Sequence, residues 1–219
     1  LYSSAASDVY KRQILLTKDS SNTWKLKINE ETLPQVFINQ GYAEELKNKI
    51  STQKEKSFIA QHLESANWLI KTIQQRAETL LKVTSKIIKI QKGFFDQGIE
   101  KLKPLILREV AESIKIHEST VSRVTSNKYI GTPTGNYELK FFFSPAVKSL
   151  NLKDNFSSKS VQFKVKKLIN NEAKEKPLTD NDLVRLLQEK GIKIARRTIA
   201  KYREGLGIPA STKRKDTRF

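Results

Sequence analysis

The longest uninterrupted stretch of the chain constrains its fold more than any other feature. No glycine or proline occurs from Tyr42 to Lys92, and the apolar residues there recur three and four positions apart. Such spacing puts apolar side chains on one face of an α-helix. The stretch therefore predicts a mainly α-helical fold built on a helical bundle or a long helical hairpin. The residues that define the apolar face are Ile59, Leu63, Ala66, Leu69, Ile70, Ile73, Ala77, Leu80 and Leu81.

Shorter elements are predicted on both sides of that stretch. Residues 24–29 alternate apolar and polar side chains as a short strand does, and residues 33–39 are a second candidate strand. Residues 137–144 are aromatic and extended in pattern. The glycines that bracket residues 94–97 predict a break. Pro104 suits the first turn of the next helix, where its missing N–H costs nothing.

The charge of the chain is the second constraint. Against 23 Asp and Glu it carries 41 Lys and Arg, a formal net charge of +18, of which +10 lies in residues 151–219. Such an excess favours a polyanionic partner, either nucleic acid or an anionic membrane surface. No apolar run approaches the roughly 20 residues that a membrane-spanning helix needs. The helix-turn-helix patterns described next favour nucleic acid of the two partners, and we expect no membrane partner. The absence of cysteine excludes disulfides and thiolate metal sites and suits a reducing cytoplasm.

Two segments have the pattern of a helix-turn-helix. In the first, at about residues 104–128, the predicted helices "PLILREVAES" and "STVSRVTSNK" flank the turn "IKIHE". Lys115 occupies the turn position that often carries glycine. A surface helical hairpin with no nucleic-acid role fits the same pattern. The side chains predicted to contact DNA from the outer face are Ser119, Thr120, Ser122 and Arg123.

The second helix-turn-helix has sharper signals. Thr179 is a predicted N-cap, and Asp182 places an acid in the first helical turn. Gly191 is a predicted C-cap. After the turn, Ile199 and Leu206 are expected to pack against the leucines of the first helix, which are Leu183, Leu186 and Leu187. The second helix, "ARRTIAKYRE", then turns its basic side the opposite way.

That basic side predicts DNA contacts of two kinds. Arg196 and Arg197 lie at the amino end, where guanidinium groups can bridge guanine O6 and N7, and the small Ala200 lets the helix enter a major groove. Thr198 and Lys201 complete this group. Phosphate contacts, which add affinity without sequence information, are expected from Tyr202, Arg203, Lys213, Arg214 and Lys215. The alternative is a solvated basic helix that binds nothing.

An enzyme and a repressor are the competing functions. A recombinase or transposase needs an activated nucleophile or a carboxylate–metal site. The acids here sit singly on predicted helix faces, and His62 and His117 have no ligand partner nearby in sequence. We therefore expect no catalytic residue, no bound metal and no cofactor. A free-standing repressor reads palindromic half-sites as a dimer, whereas two dissimilar helix-turn-helix units favour a monomer that reads two unlike elements.

Beyond these patterns, the chain resembles the bacterial sigma-54 family of transcription initiation factors. The segment "ARRTIAKYRE" is similar to the signature box of that family and differs only by Ile199 in place of valine. The likeness covers most of residues 24–215. The other similar segments, in the same order as in the family, are "ANWLIKTIQQRAETL", "FFDQGIEKLKPLILREVAE", "HESTVSRVTSNKYIGTPTGNYELKFFFS" and "KPLTDNDLVRLLQEKGIKIARRTIAKYREGLGIP".

The resemblance implies a non-catalytic specificity subunit of RNA polymerase. The helices of residues 42–92 would bind core RNA polymerase. The box helix would read an upstream GG promoter element, with Arg196 and Arg197 as base readers. The central helix-turn-helix would lie near a downstream GC element. Melting by the holoenzyme would depend on AAA+ type activator ATPases.

A domain organisation follows from the patterns and the resemblance together. We expect a core-polymerase-binding domain at residues 14–150, a linker at 151–159, and a DNA-binding domain at 160–219 that contains the box helix at 195–204. Residues 1–13 share no pattern with the rest and are expected to be a non-native segment. By the same resemblance, we expect the amino-terminal glutamine- and leucine-rich region of the family to be absent. The chain is therefore expected to bind polymerase and promoter without the element that keeps the complex closed.

Overall fold

The structure, a computed structural model, describes residues 12–29, 36–49, 52–149, 155–173 and 176–216. These residues are mainly α-helical, as predicted. They form two compact units. One contains the described residues up to Ser85 together with Arg123–Glu138, and the other contains Lys86–Ser122 and the described residues from Leu139 onward.

A four-stranded sheet lies in the first unit. Its strands are β1 (Arg12–Lys18), β2 (Trp24–Ile28), β3 (Tyr129–Thr132) and β4 (Gly135–Glu138), in the order β2-β1-β3-β4. Strand β1 is antiparallel to β2 and parallel to β3, and β3 and β4 form an antiparallel hairpin. Ile14, Leu16 and Ile130 are buried, whereas Lys25 and Lys27 are exposed. The sheet thus keeps the alternation expected when one face is covered and the other is solvated.

One of the two predicted strands is present in the structure. Strand β2 confirms the strand expected at residues 24–29. The second candidate is wrong where it can be examined, because residues 36–39 have no regular structure; its first three residues lie outside the described ranges. Strand β1 begins at Arg12, and the side chain of Gln13 accepts a hydrogen bond from the backbone N–H of Tyr129 (3.1 Å). Two residues of the segment expected to be non-native therefore pair within the sheet, while residues 1–11 lie outside the described residues.

The glycine-free stretch is helical where the structure describes it, as predicted, and residues 53–90 form one helix without a reversal. Its helices are α1 (Gln40–Lys49), α2 (Gln53–Ile90) and α3 (Lys92–Gln97). Helix α2 has 38 residues, a length of roughly 57 Å at the usual rise per residue. Val83 and Ile87 are buried near its carboxyl end, while Phe58 and Trp68 are exposed nearer its amino end. Neither glycine nor proline interrupts residues 53–90, so α2 is a single long helix.

The predicted break falls at Gly98, not at Gly93. Gly93 lies inside α3, and Gly98 adopts φ 84°, a left-handed conformation that suits glycine. The next helix, α4 (Leu107–Ile114), is followed by α5 (Glu118–Thr125). The prediction that Pro104 lies in the first turn of α4 is wrong, because that helix begins three residues later, at Leu107. The backbone of Leu105 exchanges two hydrogen bonds with Ser144, which holds the chain extended up to the helix.

Aromatic residues build the core around the end of α3. Phe94 and Phe142 pack edge to face with ring centroids 5.3 Å apart, and Phe95 lies at the same distance from Phe142. Beside them, the buried amide of Gln91 donates to the carbonyl of Lys103 and accepts from its N–H, both at 2.9 Å. The predicted extended segment 137–144 is only partly extended, because Leu139–Phe142 form a 3-10 turn that carries Phe142 into this core.

The carboxy-terminal part of the second unit has one apolar core shared by three helices. Its elements are β5 (Ala146–Val147), β6 (Phe156–Ser157), α6 (Ser158–Asn170), α7 (Asp180–Glu189), α8 (Arg196–Gly205) and α9 (Ser211–Asp216). The buried core residues are Val161, Val165, Ile169, Leu183, Leu187, Ile192, Ile194 and Ile199. Helices α6 and α7 each contribute residues four positions apart, which is the spacing of one helical face, and α8 contributes Ile199.

The segment expected to be a linker is folded where the structure describes it. Strand β6 pairs antiparallel with β5, and Phe156 packs against the core. The Ser157 hydroxyl caps α6 by accepting from the N–H of Ser160 (3.1 Å). Residues 156–159 therefore belong to the second unit and are not a free connection; residues 150–154 lie outside the described ranges.

Candidate nucleic-acid interface

Helix α7 begins at a capping box. The Thr179 hydroxyl accepts from the N–H of Asp182 (3.2 Å), and the Asp182 carboxylate accepts from the N–H of Thr179 (3.0 Å). These bonds satisfy backbone donors that a helix start leaves unpaired. Hydrogen bonds from the side chain and backbone of Thr179 lower the pKa of Asp182. The predicted N-cap and first-turn acid are both confirmed.

The end of α7 is equally well defined. Gly191 adopts φ 77° and donates to the carbonyl of Gln188 (2.8 Å), and Ile192 donates to the carbonyl of Leu187 (2.9 Å). This pair of bonds is the Schellman motif. It confirms Gly191 as the predicted helix terminator, and it directs the buried Ile192 back into the core.

Ile199 packs the inner face of helix α8 against the core. That side chain is fully buried among the core residues of α6 and α7. Arg197 and Lys201 are exposed and lie one helical turn apart on the opposite side. Arg196 is exposed at the amino end. The other predicted members of this group, Thr198 and Ala200, are half-buried.

The amino terminus of α8 is positive in three ways at once. Its N-cap, Ala195, has no side chain that accepts a hydrogen bond, and its first turn contains no acidic residue. The macrodipole places partial positive charge at this end. Arg196 and Arg197 add two guanidinium groups to the same turn. An arrangement of this kind lowers helix stability in isolation and becomes favourable when an anion binds there.

The structure contradicts the phosphate contact predicted for Arg203. Its side chain is 6% exposed. The guanidinium donates to both carboxylate oxygens of Asp180, at 3.0 and 3.3 Å, and to the carbonyl of Ile208 at 2.8 Å. Arg203 therefore joins the end of α8 to the start of α7. The expected phosphate contact is wrong for this residue because its donors are directed into the protein.

The structure also contradicts the phosphate contact predicted for Arg214. It is 4% exposed, and its partner carboxylate, Glu172, is fully buried. Two bonds at 2.9 and 3.0 Å join the guanidinium to that carboxylate, and two more reach the carbonyls of Pro209 and Leu178. The residue attaches α9 to the loop that follows α6. It is not available to a phosphate.

The remaining residues predicted to contact phosphates keep surface positions. Lys213 and Lys215 are exposed on α9. Tyr202 is half-buried against the core, and burial raises the pKa of its phenol, opposed by a hydrogen bond with Ser158. The structure thus brings Tyr202 close to α6 and leaves part of its ring accessible.

Helical spacing carries a signal that identifies Arg203 as buried. Arg203 lies four residues after Ile199, so both side chains face the core. Leu206 was expected to share that face, but it is 36% exposed. It lies beyond the last turn, where Gly207 (φ 71°) reverses the chain. Arg214 has no comparable signal because its partner lies 42 residues away in sequence.

The central pair of helices, α4 and α5, is joined by a strained turn. Lys115 adopts φ 56° and ψ 46°, the left-handed conformation expected at this position from the sequence. His117 acts as a cap: its Nδ1 accepts from the N–H of Ser119 (3.2 Å) and lies 2.8 Å from the Ser119 hydroxyl. Among the predicted DNA contacts of α5, Ser119 and Arg123 are exposed. Thr120 and Ser122 are half-buried.

Within the described ranges, no three His, Asp or Glu side chains are grouped in a way that could hold a metal ion. None of the helices in these ranges combines the length and apolar character that crossing a bilayer requires.

Known proteins are similar to this chain in sequence and in fold. The RNA polymerase sigma-54 factor of Azorhizobium caulinodans is 45% identical over 202 residues, which make up 92% of this chain and 39% of that protein. The RNA polymerase sigma-54 factor of Caulobacter vibrioides is 43% identical over 215 residues, 98% of this chain and 43% of that protein. The chain therefore spans about two-fifths of the length of these relatives.

The structural comparison agrees with the sequence comparison. The crystal structure of Aquifex aeolicus sigmaN bound to promoter DNA is similar, with a TM-score of 0.60 and 34% identity; the match covers 98% of this chain and 61% of that one. Residues 56–216 match the family described as Sigma-54, DNA binding domain. The capped helix α7, the Schellman turn and the exposed arginines of α8 all lie within that match. The chain belongs to the family of sigma-54 DNA-binding domains.

Proposed function

We propose that this chain acts as a sigma-54 type transcription initiation factor. It binds core RNA polymerase and directs it to promoters with an upstream GG and a downstream GC element, and the holoenzyme depends on AAA+ type activator ATPases for melting. The observation that carries the proposal is the exposed cationic side of α8 opposite the buried Ile199. The promoter DNA in the similar sigmaN structure supports a DNA partner.

In this proposal, α7 and α8 form a helix-turn-helix whose second helix enters the major groove. Arg196 and Arg197 contact the two guanines of the GG element, since a guanidinium matches the paired acceptors O6 and N7. The half-buried Ala200 keeps that side of the helix slim enough to approach base edges. Lys201, Tyr202, Lys213 and Lys215 contact phosphates or the groove edge, which sets register and affinity.

The other contacts are proposed on the same basis. Helix α5, with Ser119 and Arg123 exposed, lies near the downstream GC element. Helix α2 binds core polymerase. Its exposed neighbours Trp68 and Leu69, with Phe58 exposed nearer the amino end, support this, since exposed large apolar side chains commonly mark a protein contact.

The test begins with DNA binding by the whole chain. The intact chain is titrated onto a duplex carrying the GG and GC elements, and onto a matched duplex with the GG changed. Arg197→Ala should weaken binding to the first duplex by about 1–3 kcal/mol and reduce the preference between the two. Equal weakening on both duplexes would show that Arg197 contacts only phosphate.

Core polymerase distinguishes the proposal from its competitors. Footprints are recorded with and without bacterial core RNA polymerase, and supercoiled DNA is incubated with divalent metal. A sigma factor gains most of its promoter protection from the polymerase. Full protection by the chain alone would indicate a free-standing repressor, and metal-dependent nicking would indicate a recombinase.

A further inference from the structure

The short segment that directly follows β5 pairs with the turn between α7 and α8. The N–H of Lys193 donates to the carbonyl of Lys148 (3.1 Å), and Ser149 and Ile192 form an antiparallel bridge. The Ser149 hydroxyl also donates to the carbonyl of Gly191 (3.1 Å). The segment that carries Lys148 is thus fixed against the turn that leads into the box helix.

The register of this pairing places two lysines directly opposite each other. Ser149 opposes Ile192 in an isolated antiparallel bridge, and the N–H of Lys193 donates to the carbonyl of Lys148, so the next position of this register sets Lys148 against Lys193. Opposed residues share a face, with Cβ atoms about 5 Å apart. Both lysine side chains are exposed, whereas the adjacent Ile192 and Ile194 are buried in the core. The two ammonium groups therefore extend to solvent from one small patch.

Such a pair is unfavourable in the free protein. Like charges directly opposite across paired strands destabilise the pairing. Within the ranges that the structure describes, no salt bridge relieves either lysine. An anion held between the two side chains would convert the repulsion into two attractions.

The patch lies at the amino end of α8. Lys193 precedes Arg196 by three residues, and the turn between them contains the buried Ile194. Lys193 thus lies just before the exposed arginines that begin the helix, and its pairing with Lys148 adds a second lysine to that end. A duplex placed against those arginines would bring its sugar–phosphate backbone to the same end.

We propose that Lys148 and Lys193 form a two-lysine clamp on DNA backbone phosphates beside the bases that α8 reads. The proposal rests on the proposed function of α8 and extends it to a segment outside the two helices. Because the clamp contacts phosphates only, it contributes affinity and salt dependence and carries no sequence information.

The test measures the salt dependence of binding with the whole chain. Lys148→Ala, Lys193→Ala, the double variant and the control Lys166→Ala are titrated onto the GG/GC duplex and the GG-changed duplex at several salt concentrations. Lys166 is an exposed lysine of α6 outside the proposed interface. The slope of log K against log salt should fall by about 1 for each single variant and about 2 for the double variant. The preference between the two duplexes should not change, and Lys166→Ala should keep the slope of the unaltered chain.

A charge reversal gives a second readout. Lys148→Glu turns the repulsive pair into an attractive one, so the melting temperature of the free protein should rise at low salt while DNA binding weakens. Lys148→Ala should change both quantities in the same directions by less. A fall in melting temperature for Lys148→Glu would contradict the opposed register.

The outcomes separate this inference from the proposed function. If the unaltered chain prefers the GG duplex and the double variant keeps its salt slope, the clamp is wrong and the function of α8 stands. If the unaltered chain binds both duplexes equally and the double variant loses slope, the clamp stands and promoter reading fails. A chain that binds neither duplex overturns both.

Discussion

At the scale of single residues, arginine has two opposite roles within ten positions of the box helix. Arg197 is exposed on the side away from the core, and Arg203 is enclosed by Asp180 and the carbonyl of Ile208. Composition and the box motif predict a DNA contact for both residues. Their difference follows from helical phase, because Arg203 lies one turn after Ile199 on the buried face. A guanidinium suits both positions since its forked donors match a carboxylate as well as a base edge.

Arg203 is therefore predicted to stabilise the fold. Replacing it with methionine would leave the Asp180 carboxylate, whose side chain is 18% exposed, without its partner. Breaking one half of a buried ion pair costs about 3–5 kcal/mol. Because Asp180 keeps some contact with solvent, we expect Arg203→Met to lower the free energy of unfolding by about 3 kcal/mol, near the lower end of that range. Urea unfolding followed by far-UV circular dichroism measures this change.

Lys201→Met supplies the matched control. It removes a cation from the exposed side of the same helix and should change the unfolding free energy by no more than about 0.5 kcal/mol. Equal stability of the two variants would contradict a structural role for the Arg203–Asp180 pair.

At the scale of elements, the sequence predicts what local physical chemistry determines. The start of α7 follows from a threonine followed three residues later by an acid, and its end follows from Gly191. The pairing of β1 with β3 has no such local signal, because these strands are more than one hundred residues apart in the chain. The long helix α2 shows a third case: its spacing predicts helix but does not indicate whether the helix folds back.

Backbone strain at Lys115, in the turn between α4 and α5, can be relieved by substitution. A left-handed conformation costs a residue with a side chain roughly 1–2 kcal/mol, and glycine adopts it freely. Since glycine also loses more entropy on folding, Lys115→Gly should raise the free energy of unfolding by a net of about 0.5–1 kcal/mol. Thermal or urea unfolding of the two proteins measures it.

Lys115→Ala separates backbone strain from charge. It removes the same cation and keeps the Cβ atom, so it should not stabilise the protein. If the alanine variant gained as much stability as the glycine variant, loss of charge would be the cause, and the strain at φ 56° would be negligible.

At the scale of the whole molecule, net charge overstates the cationic surface. Two of the seven cationic residues predicted to contact DNA from the carboxy-terminal end, Arg203 and Arg214, are used inside the protein. Both pair with carboxylates that are distant in sequence, Asp180 and Glu172. A count of charges therefore predicts the sign of the partner, while the position of each cation depends on long-range packing that the sequence pattern does not reveal.

Helix α9 allows a test of which cations bind DNA and which stabilise the fold. Lys213 and Lys215 are exposed on α9, and Arg214 between them is bonded to Glu172. The double variant Lys213→Ala/Lys215→Ala should lower the salt slope of DNA binding by up to about 2, since each lysine that leaves a phosphate removes roughly 0.9 from it. Its preference for the GG duplex and its melting temperature should be retained. Arg214→Gln should instead lower the melting temperature, because Glu172 is left buried and unpaired. A variant of Arg214 that kept its stability and lost salt slope would move that residue back to the DNA surface.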